Sequence, residues 1–205
     1  MPIKPILFNT EMVRAILDGR KDATRRIVKG FIPDDAVWGY TAFTPKGYIS
    51  CRGTFADGYG EKFFKLPCES GDILYVRETW APLHSDEESD KVCGYMYKAD
   101  LPEDYWCGRW KPSIHMPKEA ARIFLKITNV KAERLQDIDI DGIRNEGLLS
   151  AAVHCEDMEI ALKEWEILWN STIKKSDLDR YGWDANPYVW VIEFERRDGM
   201  YFKKL

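Results

Sequence analysis

Gly19-Arg20-Lys21-Asp22-Ala23-Thr24-Arg25-Arg26 is the stretch on which the reading of this chain turns. Just upstream, Asn9 or Thr10 is placed to cap a short helix whose Met12, Val13, Ile16 and Leu17 share one face, and Gly19 stands where a glycine ends it. Just downstream, Thr24 to Val28 reads as a strand. The turn between them sets a lysine and a threonine three residues apart, so both side chains can face a common point if the turn opens into a cavity. Neighbouring arginines lower a lysine pKa by like-charge repulsion. A lysine tuned towards neutrality acts as a base, and a threonine hydroxyl needs such a base to become a nucleophile. Taken alone, the same eight residues also read as a solvated basic turn.

Outward from this turn, Phe31 to Lys65 mixes Gly, Pro, Tyr and Phe in short alternations around Pro45-Lys46-Gly47, the pattern of a β-ribbon. Gly71-Asp72 turns the chain into Ile73-Leu74-Tyr75-Val76-Arg77-Glu78, a strand. His84 to Asp90 reads as an exposed acidic loop, Gly94 to Lys98 as a strand, and Trp106 to Pro117 as irregular. Arg122 to Leu135 alternates Ile123, Leu125 and Ile127 with Phe124, Lys126 and Thr128, which predicts one long strand. Asp137 to Asn145 suits a short helix ended by Gly147, and its three aspartates read as a solvated helix start rather than a metal site. The strongest helix runs from about Glu156 to Lys174, with Ala161, Trp165, Leu168, Trp169 and Thr172 on one face and its two Trp as core anchors. Tyr188 to Glu195 is the last strand. Many strands, few helices and no strict alternation of the two give an α+β class with a curved or closed sheet, in a single domain over residues 1–205.

Composition bounds the function classes. Thirty Lys+Arg against 34 Asp+Glu and 45% hydrophobic residues exclude a disordered or fibrous chain. No apolar run approaches the about 20 residues of a membrane span, and Met1 to Pro5 lead into no signal-peptide hydrophobic stretch, so no membrane partner and no export are expected. Five cysteines, an odd number without a Cys-x-x-Cys pair, argue against a disulfide framework and imply reduced cytoplasmic thiols. The three histidines lack metal-ligand spacing, so neither a metal nor another cofactor is expected. The first 30 residues carry seven basic against three acidic side chains, which suggests a local site for an anionic partner or a solvated face. An aromatic content of 13%, with eight Trp, fits a compact core and a nucleobase site equally.

Gly19-Arg20-Lys21-x-x-Thr24-x-Arg26, Gly71-Asp72-x-Leu74-x-Val76, the Asn145-Glu146-Gly147 turn and the closing Val191-Ile192-Glu193-Phe194 together resemble the ASCH domain of the PUA-like superfamily. Arg77-Glu78-Thr79-Trp80 and Arg109 to Pro117 resemble the longer ASCH proteins of phages and prophages. This resemblance implies a PUA-like β-barrel flanked by helices, with insertions at about 31–65 and 81–117, in a bacterial cytoplasm or that of a phage host. It also implies a cleft for RNA or a modified nucleoside. One branch, small amidohydrolases that deacylate N4-acetylcytidine, uses Lys, Thr and Glu, which carry over to Lys21, Thr24 and Glu146 as catalytic residues. The chain departs from that branch in its greater length and in carrying a charge at Asp22. Other ASCH proteins are associated with RNA cleavage, so a ribonuclease using the same basic cleft is the alternative, beside a non-catalytic phage-associated interaction protein.

Around that centre, Arg20 and Arg26 belong to the basic turn, Arg77 and Glu78 are expected as an ion pair at a strand end beside Trp80, and Trp110 and His115 sit in a Pro-bounded segment where binding residues often lie. All seven are expected to bind substrate. The oligomeric state is left open between a monomer and a weak dimer.

Overall fold

The computed structural model describes residues 3–85, 91–105, 109–148 and 157–198, and there the chain is mixed α and β with strands predominating. Its main sheet has five strands in the order β1 (Ile3–Leu7), β6 (Ile73–Arg77), β9 (Ile123–Arg134), β10 (Tyr188–Asp198) and β2 (Ala23–Ile27). Only β1 and β6 run parallel; the other neighbours are antiparallel. Period-2 alternation gives β10 two buried faces. Tyr188, Trp190, Ile192 and Phe194 join a core with Ile6, Phe8, Val13, Ile16, Val76 and Leu125, while Val189 and Val191 face a second core with Leu135, Ile143, Trp165 and Trp169.

A flat sheet of this order would hold β1 and β2 about 19 Å apart, four interstrand spacings of roughly 4.8 Å. Instead the Arg26 guanidinium on β2 donates to the Leu7 carbonyl at the end of β1, 2.9 Å away. The sheet therefore curls until its two edges approach each other. Among the described residues no strand ladder joins β1 to β2, so strand pairing does not close the barrel that the sequence suggests. Chain connectivity explains this: the residues between the two edge strands are taken up by helix α1 (Thr10–Leu17) and its turn, and a side chain rather than a ladder spans the gap.

Residues 31–65 form a second, three-stranded antiparallel sheet of β3 (Val37–Gly39), β4 (Tyr48–Arg52) and β5 (Glu61–Lys65). The Trp38 ring joins it to the main core through edge contacts with Tyr188 and Trp190. After β6 the chain makes a hairpin of β7 (Trp80–His84) and β8 (Val92–Tyr97). Two strands escape the sequence reading, β1 and β7, because Pro5 and Pro82 interrupt their patterns. Both run at sheet edges, where a missing N–H is tolerated. Of the expected acidic loop, His84 ends β7 and residues 86–90 lie outside the described residues.

Three side-chain caps fix the helices. Asn9 caps α1, Asp139 caps α2 (Ile140–Asn145) and Asp157 caps α3 (Met158–Thr172), each accepting a backbone N–H from the first turn. Among the described residues the one further α-helix, α4 (Leu178–Tyr181), is a single turn. Of the aspartate run, Asp139 is a cap and Asp141 pairs with Arg144, as a helix start requires. Among the described residues no helix is long and apolar enough to cross a membrane.

Candidate active site

The site begins where the C-terminal ends of α1 and α2 meet. Gly19 takes a φ of +73°, and the next two residues fold back so that the Arg20 and Lys21 N–H groups both donate to the Ala15 carbonyl. Lys21 then forms an isolated antiparallel bridge with Glu146, and the Asp22 N–H donates to the Asn145 carbonyl at 3.0 Å. Gly147, with a φ of +87°, makes this approach possible. A Cβ there would lie 2.7 Å from the Ala15 Cβ and 2.9 Å from the Lys21 Cβ.

Into this junction the fold sets charged groups that are almost wholly removed from water. Lys21 is 3% exposed and Glu146 7%, and Lys21 Nζ donates to Glu146 Oε2 at 2.5 Å and to the Glu146 carbonyl at 2.9 Å. Arg25 carries the network on, from Glu146 Oε1 at 3.4 Å to Glu133 Oε1 at 2.8 Å. Burial pushes the Lys21 pKa below its ordinary value; Glu146 opposes that shift, and Arg26 and Arg25 add to it. Burial also lowers Arg26, against the attraction of Glu146. The repulsion expected from the neighbouring arginines is thus present, but desolvation leads it.

Beside this network opens a cleft of about 370 Å³, the size that encloses a small organic ligand. Thr24, Arg20, Arg25, Arg26 and Glu146 line its polar side, and Met12, Leu148, Trp165, Leu168 and Trp169 its apolar side. Thr24 is 1% exposed, and its Oγ1 has no hydrogen-bond partner. Glu146 reaches the cleft, whereas Lys21 stands behind it, its side chain fully buried. Arg20 fixes the rim by donating to the Gly147 carbonyl at 2.8 Å. Asp22, the charge that departs from the amidohydrolase pattern, is exposed and does not line the cleft.

No family model, curated protein or solved structure matches this chain.

The structure thus gathers Arg20, Lys21, Thr24, Arg26 and Glu146 around one cleft, and leaves the other five predicted residues outside its lining. Arg77 does not pair with Glu78. It donates to the Ile114 carbonyl at 3.3 Å and lies over the Tyr75 ring. Glu78, 1% exposed, is held by both arms of Arg122 at 2.9 Å, and burial pushes its pKa up against that attraction. Trp80 is buried in a separate cluster with Tyr75, Met116 and Phe124. Trp110 is half-buried, and His115 is exposed in a short 3-10 turn (Ser113–His115).

Sequence reasoning missed Arg25, Trp165, Leu168 and Trp169 as site residues. The last three had a signal, since they share the helix face already read as core. That face seals the core and walls the cleft at once. Among the described residues no three His, Cys, Asp or Glu side chains gather to hold a metal ion, and Cys51, Cys68 and Cys93 are free thiols.

Proposed function

We propose that the chain is an ASCH-type, PUA-like protein whose cleft binds an N4-acylated cytidine-type nucleoside and hydrolyses its amide. The observation that carries this reading is the buried Thr24 hydroxyl, unpartnered in a nucleoside-sized cleft beside the desolvated Lys21–Glu146 pair. The curled sheet with Arg26 bridging its edges supports the barrel-like architecture. In the reaction, Thr24 Oγ bonds to the acyl carbon as the bond from that carbon to the exocyclic nitrogen breaks. Its proton passes to the Lys21–Glu146 couple and on to the leaving nitrogen, giving the free amino base. Water then cleaves the acyl-threonine ester, releasing the carboxylic acid and restoring the hydroxyl. The apolar wall of Trp165, Leu168 and Trp169 accepts the flat base.

Pairing of the basic residues favours a nucleoside over an RNA strand. Arg20 is held by Asp18 and Arg25 by Glu133, so among the described residues the cleft presents no continuous cationic track. Chromatography of N4-acetylcytidine incubated with the protein tests the reading. Wild type releases cytidine and acetate. Thr24→Val keeps the shape and loses turnover, and Lys21→Arg keeps the charge but loses about 100-fold or more, because a guanidinium does not give up its proton near neutral pH. A wild type that releases no acid from any acylated nucleoside, or a Lys21→Arg variant of full activity, overturns hydrolysis. Cleavage of single-stranded RNA in the same assay would replace it with the ribonuclease reading.

A further inference from the structure

Among the described residues six buried side-chain polar atoms lack a hydrogen-bond partner: Thr24 Oγ1, Trp38 Nε1, Arg77 Nε, Trp80 Nε1, Glu164 Oε2 and Trp165 Nε1. Two of these residues, Thr24 and Trp165, line the cleft. A buried donor without an acceptor bears its whole desolvation penalty, and folded proteins relieve such groups with an acceptor from elsewhere in the chain, a water or a ligand. One helical turn on, Trp169 shows the ordinary solution: its Nε1 donates to the Tyr181 carbonyl at 2.8 Å. Trp165 lacks that solution although it is 3% exposed and has the Trp169 ring 6.1 Å away and the Arg25 guanidinium 6.0 Å away. Its donor is thus buried and unanswered, on a side chain that lines the cleft.

We infer that the Trp165 indole N–H donates to the acyl carbonyl oxygen of the bound ligand, the carbonyl whose carbon Thr24 attacks. This rests on the acyl-nucleoside reading above. An indole nitrogen only donates, so it selects a carbonyl oxygen and rejects an amino group at the same place. A donor fixed on that oxygen also stabilises the negative charge that develops there during attack, which gives Trp165 a catalytic as well as a recognition role.

Binding measured in the Thr24→Val variant, where no turnover intervenes, separates this from general packing. The probes are N4-acetylcytidine and N4-ethylcytidine, which differ by the carbonyl oxygen. Calorimetry should show the acetyl compound bound about threefold to tenfold more tightly, the range a net hydrogen bond supplies. Adding Trp165→Phe should reduce that preference to near one, and taking the ratio within each protein cancels any change in packing. A preference that survives Trp165→Phe overturns the inference. Should Trp165→Phe fail to fold, nitrogen-15 labelling of the indoles in Thr24→Val answers instead: the Trp165 N–H resonance moves with the acetyl compound and not with the ethyl one, and a resonance that ignores both overturns the contact. Preferential binding by a wild type that releases no acetate keeps the contact and removes the hydrolase. Acetate release with an unchanged preference in Trp165→Phe removes the contact alone, and binding of neither probe removes both.

Discussion

Lys21 and Glu146 stand 125 positions apart in the chain and meet at 2.5 Å inside the protein, so each makes the other tolerable there. Removing Lys21 leaves the buried Glu146 only the longer Arg25 contact at 3.4 Å, so the cost approaches the about 3–5 kcal/mol of a broken buried pair. Lys21→Met should lose that much in urea denaturation, and the double variant Lys21→Met/Glu146→Leu should recover most of it. The lowered Lys21 pKa sets two pH dependences. Because the folded state holds this proton less tightly than the unfolded chain, stability from Lys21 is fully present above the ordinary 10.5 and is lost as pH falls through the lowered value. Between those limits wild-type stability should therefore rise with pH relative to Lys21→Met, a comparison that cancels the opposite effect of Cys51, whose thiol is pushed up to about 11. Deacylation should climb over the same range as Lys21 loses its proton. Lys21 and Thr24 were legible because spacing and charge are local. Glu133 was not, since its bond to Arg25 spans 108 positions and leaves no local trace. Arg77 and Glu78 were misread as a pair for a geometric reason: β6 ends at Arg77, and beyond it Glu78 finds Arg122 while Arg77 reaches the Ile114 carbonyl.

At the scale of elements, two helix ends and one glycine build the site. Helix α2 is only six residues long and contributes little stability of its own. Its place depends on packing Ile143 in the second core and on Gly147 lying flat against α1 and Lys21. Gly147→Ala would press a methyl group into the Ala15 and Lys21 side chains while forcing a φ that alanine avoids, so it should destabilise by about 1–3 kcal/mol. It should also reduce deacylation far more than that loss alone predicts, because the displaced loop carries Glu146. Thermal unfolding and steady-state rates on the same sample check both outcomes. Helices α1 and α3 and the long strands were legible from apolar periodicity, the single-turn α4 was not, and Gly147 announced itself as a helix stop. Its second role, admitting Lys21 at close range, was not legible, because nothing near Gly147 in sequence says what will pack on it.

Across the whole molecule, the basic stretch of the first 30 residues changes meaning once folded. Lys4 pairs with Asp72, Arg14 with Glu11 and Glu103, Arg20 with Asp18, Lys21 with Glu146, and Arg25 with Glu133. Most of the local positive excess is thus answered by carboxylates, several of them brought from distant parts of the chain, in a protein whose net charge is −4. Of the cleft arginines, Arg26 alone among the described residues makes no ion pair, its guanidinium bonding the Leu7 carbonyl and lying over the Phe8 ring. A nucleoside carries no phosphate, so its affinity should not change between low and high salt. A short single-stranded RNA ending in the same acylated base can use Arg26 for about one phosphate, and each phosphate neutralised on a single strand contributes a slope of about −0.7 in log affinity against log salt concentration. Titrations of both ligands across a salt series should therefore give a flat line and a slope no steeper than about −1. A slope several times steeper would mean an extended phosphate track, and with it a strand rather than a nucleoside as the molecule this surface is built to hold.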